Sequence, residues 1–83
     1  MNDAQGMQIT LLAFGPLAES LGWKRHQLTL KISSKIEDVI DILSILERSE
    51  RGLVFAINGR QQEISAELKN GDELAFLPPV SGG

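Results

Sequence analysis

One amphipathic stretch constrains the fold more than any other feature. Ile36, Val39, Ile40, Leu43 and Leu46 recur at helical spacing and form one apolar stripe, with Glu37, Asp38, Asp41 and Ser44 on the other side. Ser33-Ser34 precedes the stripe as a candidate N-cap, and Glu37, three residues after Ser34, completes a capping-box pattern. A stripe of this kind needs a surface to cover, and the segments around it have strand character. Ile42 flanks the stripe and Ile45 falls near the polar side, so the helix is either covered on more than one face or ends around Ser44.

Met7, Ile9, Leu11 and Ala13 alternate as a strand requires, with Gln8, Thr10, Leu12 and Phe14 on the opposite face. Gly15-Pro16 breaks that strand, and Pro16 suits the first turn of a short helix to Leu21, with Gly22 as its stop. Trp23 is expected to pack over the helix end, with an exposed aromatic anchor as the other reading. In His26 to Ile32, Leu28, Leu30 and Ile32 are expected inward and Gln27, Thr29 and Lys31 outward. Glu47 to Gly52 reads as a polar connection. Leu53 to Ile57 is a third strand, expected central and buried on both faces. Asn58-Gly59 is a tight-turn dipeptide before a short polar edge strand or extended segment from Arg60 to Ile64. A second turn at Asn70-Gly71 leads into the last strand, Glu73 to Leu77. This order predicts an α+β domain over residues 7–77, a mixed sheet of about four to five strands with the main helix on one face. Residues 1–6 read as a flexible leader and 78–83 as an extended tail.

Several functions are disfavoured by composition. Eighty-three residues spend their apolar side chains on one core and leave little for an enzyme cleft. A net charge of -3 with scattered basic residues argues against nucleic acid, and no apolar run approaches a membrane span. The absence of cysteine removes disulfides and thiolate metal sites. The chain start carries no secretory pattern, which makes the cytosol the expected compartment. His26, the single histidine, reads as a solvated strand-end residue, and Asp38 with Asp41 as a solvated acidic face; no metal site is expected.

The C-terminal residues Pro78-Pro79-Val80-Ser81-Gly82-Gly83 carry the functional signal. Two prolines cannot continue a central strand and hold the chain extended, so six residues reach roughly 20 Å from the body. Two glycines in succession thread a channel too narrow for any Cβ, which lets the terminal carboxylate be presented inside another protein. The plain alternative is a frayed, small-residue chain end.

Asn58-Gly59, the run Leu68 to Leu77, the ending Pro78 to Gly83 and the turn Ala13 to Glu19 together resemble the small subunit of molybdopterin synthase. The resemblance implies a ubiquitin-like β-grasp fold with the first and last strands adjacent at the centre. It also implies a mechanism in which an ATP-dependent adenylating enzyme activates the Gly83 carboxylate and a sulfur donor displaces AMP to leave a thiocarboxylate. The large subunit then receives the tail and uses the sulfur to build the dithiolene of molybdopterin. ATP belongs to the activating enzyme, and no permanently bound cofactor is implied. On this reading Gly83 carries the chemistry, Gly82 gives steric passage, Ser81 and Val80 line the channel, and Pro79 and Pro78 stiffen the exit.

Leu12, Phe14, Ala75 and Leu77, on the outward sheet face, are candidates for an apolar docking patch; equally, they are candidates for closing the second side of a small core. Other readings keep the fold and change the role: a sulfur carrier for thiamine synthesis or tRNA thiolation, a covalent modifier of lysines, or an adaptor with an inert tail.

Overall fold

The computed structural model describes residues 6–48 and 52–78. The leader before Gly6, the middle of the Glu47 to Gly52 connection, and Pro79, Val80, Ser81, Gly82 and Gly83 lie outside the described residues.

Alternation in the first apolar run gives β1, Gly6–Ala13, whose Met7, Ile9, Leu11 and Ala13 are all buried. Gly6, read above as leader, is the first residue of that strand. After β1 come α1 (Gly15–Leu21), β2 (Arg25–Lys31), α2 (Ile36–Leu43), the single turn α3 (Ile45–Arg48), β3 (Val54–Ile57), β4 (Arg60–Gln62) and β5 (Glu73–Leu77). The five strands form one sheet in the order β2-β1-β5-β3-β4. β1 pairs antiparallel with β2 and parallel with β5, and β5 pairs antiparallel with β3. The first and last strands therefore stand side by side, as anticipated, but β5 is the middle strand. β3, expected at the centre, lies one place out, next to the short and fully exposed edge strand β4.

One face of this sheet carries the core. Leu74 and Phe76 of β5 are fully buried there, with Phe55 edge-on to Phe76 at a centroid distance of 5.8 Å. Ile36, Val39 and Ile40 from α2, Leu17 and Ala18 from α1, and Leu68 pack into the same cluster. Fully burying a side chain such as Leu74 contributes about 1.5–3 kcal/mol, so a short central strand with two such residues is firmly held.

The start of α2 departs from the sequence reading. Its N-cap is Lys35, not Ser34, and Asp38, not Glu37, reaches back, its Oδ2 accepting the Lys35 backbone N–H at 2.8 Å. The next two N–H groups, of Ile36 and Glu37, donate to the carbonyls of Ala66 and Ile64 at 3.1 and 2.9 Å, and Leu68 N–H donates to the Ser34 carbonyl at 2.8 Å. Backbone from the segment after β4 thus satisfies donors that a local serine side chain was expected to meet.

The far end of α2 resolves the two alternatives left open. Ser44 takes a left-handed conformation (φ 55°), ends the helix after Leu43, and redirects the chain so that Ile45 becomes fully buried. Ile42 stays exposed. Ile32, expected inward, is also exposed, because β2 stops at Lys31 and a turn follows in which Ser33 has φ 74° and Ser34 N–H donates to the Lys31 carbonyl.

Candidate functional site

Because β5 and β1 are parallel, their C-terminal ends lie at the same edge, and the antiparallel neighbours β2 and β3 begin there. Leu77 and the exposed Pro78 thus leave the sheet from its middle, flanked by the end of β1 and the start of β3. A chain segment that follows this strand is aimed by a rigid element held on both sides.

The base of that strand is fixed by a second network. Asn58 and Gly59 have φ 51° and 85°, the pairing that a two-residue hairpin of this kind requires. Asn58 N–H donates to the Glu73 carbonyl at 2.8 Å, and Asn58 Oδ1 accepts the Glu73 N–H at 2.9 Å. Asn58 Nδ2 donates to Asp72 Oδ1 at 3.0 Å, while Asp72 Oδ2 accepts the Lys69 N–H at 2.8 Å. The turn also reaches β1: Gly71 N–H donates to the Gln8 carbonyl and Asn70 Oδ1 accepts the Gln8 N–H, both at 2.8 Å. β3, β5 and β1 are in this way tied together at the end opposite the exit.

The outward face gathers the residues proposed for a partner surface. Leu12 and Ala75 are register partners, and Ala75 in turn faces Ala56 on β3, giving an apolar row across three strands. Leu77 pairs with Val54, and extending the β1 register by one position sets Phe14 beside Leu77. Leu12, Ala75 and Leu77 are half-buried and Phe14 is 44% exposed. None of the four belongs to the buried core cluster or packs against it. Val54 and Ala56 lie on this face too, and Ala56 is buried there, so the middle of β3 is buried on both sides as its apolar run predicts, Phe55 toward the core and Ala56 away from it; the register with β5 shows which side each residue takes. The sequence reading did not foresee the ion pair between Arg25 on β2 and Glu73 on β5, at 3.8 Å, beside the apolar row.

Trp23 is half-buried and packs against the core, stacking on His26 with ring centroids 5.0 Å apart. His26 is exposed, as expected for a solvated strand end. Among the described residues, no group of three His, Cys, Asp or Glu side chains stands close enough to hold a metal ion, and no helix is long and apolar enough to cross a membrane.

A five-stranded mixed sheet of this order, with its helices on one face and its last strand in the middle, defines a ubiquitin-like β-grasp protein. The chain belongs to the ThiS family, whose model matches residues 11–83. It is 36% identical over 84 residues to the molybdopterin synthase sulfur carrier subunit of Chlamydomonas reinhardtii, covering 93% of this chain and all of the relative. Its fold matches small archaeal modifier protein 1 of Haloferax volcanii with a TM-score of 0.76 at 21% identity, over 89% of this chain and 99% of that one. It is also similar, at 26% identity and a TM-score of 0.62, to a chain in the complex of subunits 1 and 2 of the Helicobacter pylori molybdopterin-converting factor, covering 93% of this chain and 100% of that one.

Proposed function

We propose that this protein is the sulfur-carrier subunit of a molybdopterin synthase, acting in the cytosol through its C-terminal carboxylate. The observation that carries the reading is the placement of the exit: a central strand locked at its base by Asn58 and Asp72 runs straight into Pro78, the first of six residues that end in Gly82-Gly83. The sulfur carrier name of the Chlamydomonas relative and the two-subunit assembly of the Helicobacter protein support it.

The chemistry follows from what a carboxylate lacks. Its oxygen is a poor leaving group, so the activating enzyme transfers AMP from ATP to the Gly83 carboxylate and releases pyrophosphate. A sulfide-level nucleophile then attacks the acyl carbon, the carbon–oxygen bond to AMP breaks, and a thiocarboxylate remains. In the large subunit the thiocarboxylate sulfur forms a carbon–sulfur bond to the pterin precursor as an oxygen leaving group departs from that carbon. Water then attacks the acyl carbon and breaks the acyl–sulfur bond, which leaves the sulfur on the precursor and returns the Gly83 carboxylate, and two such transfers supply the two sulfurs of the dithiolene. The chain itself supplies position: Leu12, Phe14, Ala75 and Leu77 dock, Pro78 and Pro79 keep the exit extended, and Val80, Ser81 and Gly82 line and pass the channel.

The test is intact-protein mass after incubation with the cognate activating enzyme, ATP and sulfide. Full-length chain is expected to gain the mass difference of one sulfur for one oxygen, and a chain lacking Gly83 is not. No shift in the full-length chain with a demonstrably active enzyme would sink the proposal. Conjugates of higher mass, with Gly83 joined to lysines, would replace it with a modifier role.

A further inference from the structure

Charge is sparse on the outward face of the sheet. By the strand registers, the charged residues there are Arg25, Glu73 and Lys31, and Lys31 stands across from Gly6 at the end far from the exit. Arg25 is the register partner of Leu12 and so borders the apolar row directly. Its contact with Glu73 is a single approach of 3.8 Å, beyond the 2.7–2.9 Å or so of a charge-assisted hydrogen bond, with the two side chains 66% and 44% exposed. An exposed pair of this length contributes little to the fold. Glu73 is held through its backbone by Asn58, so its strand does not depend on the Arg25 contact. Among the described residues Glu73 is the one charged partner of Arg25, which therefore offers a guanidinium fork with most of its donors uncommitted there, next to an apolar surface whose other outward neighbours, such as Thr10, Gln27 and Gln61, are uncharged.

We propose that Arg25 is a specificity-determining residue for docking: on binding it leaves Glu73 and takes a carboxylate of the large subunit at the rim of the apolar contact. This rests on the synthase reading above. Apolar patches fit together in several offsets, whereas a forked cation meeting one carboxylate admits a single register. Register matters here because a slide of the sheet against its partner moves the tail by the same amount.

The experiment titrates the purified cognate large subunit with full-length wild type, Arg25→Glu, Arg25→Gln and Glu73→Gln by calorimetry, at low and high salt, with thermal melts as folding controls. Arg25→Glu is expected to weaken binding about tenfold or more, and Arg25→Gln less. Glu73→Gln, by freeing Arg25, binds at least as tightly as wild type. Wild-type affinity falls with salt more steeply than that of Arg25→Gln. Binding of both Arg25 variants within about twofold of wild type overturns the inference and leaves the synthase reading standing. So does a Glu73→Gln variant as weak as Arg25→Glu, which would mean that the pair acts only as an intact unit. Failure of wild type itself to bind overturns the docking half of the synthase reading and this inference with it.

Discussion

Asn58 holds Asp72 through a 3.0 Å hydrogen bond from its side-chain amide, and through that bond the β3–β4 hairpin is fastened to the turn that launches the central strand. Both ends of the Asn58 amide and both oxygens of the Asp72 carboxylate are used, although the residues are fourteen positions apart.

Replacing Asn58 with alanine removes two side-chain hydrogen bonds and places a Cβ-bearing residue with no local polar group in a left-handed conformation. Urea denaturation is expected to show a loss of about 1–3 kcal/mol. Asn58→Gly keeps the conformation cheap and should recover about 1 kcal/mol of that loss. Equal stabilities for the two variants would show that the backbone conformation contributes nothing measurable.

The α2 start gives a sharper contrast. Asp38→Ala removes the carboxylate that accepts the Lys35 N–H and is expected to cost about 0.5–2 kcal/mol. Ser34→Ala, at the residue that the sequence pattern favours as the cap, is expected to change stability by less than about 0.5 kcal/mol. The reverse order in chemical denaturation would restore Ser34 as the cap.

Core and surface isoleucines and leucines should separate cleanly. Leu74→Ala, in the middle strand, is expected to cost about 2–5 kcal/mol. Ile42→Ala, on the exposed side of α2, stays within about 0.5 kcal/mol of wild type. A large loss at Ile42 would reveal a burial that the fold does not show.

On the outward face, Leu12→Asp and Ala75→Asp place a charge where the proposed partner surface is apolar. Each is expected to weaken binding of the large subunit by about tenfold or more while leaving the thermal melt nearly unchanged. A collapse of the melt instead would assign these residues to a second core layer.

These contrasts also mark what the chain makes legible. Strong periodicity located β1 and the body of α2, the breakers Gly15-Pro16 and Gly22 bounded α1, the turn at Asn70-Gly71 marked the start of β5, and Asn58-Gly59 declared its own turn. What alternation does not carry is the order of strands: β3 reads as central because its run is apolar throughout, yet β5 takes the middle by pairing with β1 across the whole length of the chain. The α2 cap was misplaced for a related reason. Ser34 and Glu37 satisfy a local pattern, but the donors of Ile36 and Glu37 are met by carbonyls nearly thirty residues away, at Ala66 and Ile64. Of the candidate site, alternation sets Leu12 with Phe14 and Ala75 with Leu77, the family resemblance put both pairs on one outward face, and Val54, Ala56 and the Arg25–Glu73 contact required the register.

The parallel pairing of β5 with β1 has a mechanical consequence. A pull on the chain beyond Pro78, in line with the strand, loads the β1 and β3 ladders in shear, so their hydrogen bonds bear the force together and do not peel one at a time. A load applied at Pro78 therefore meets an anchor that resists as a block, and the body keeps its shape under it.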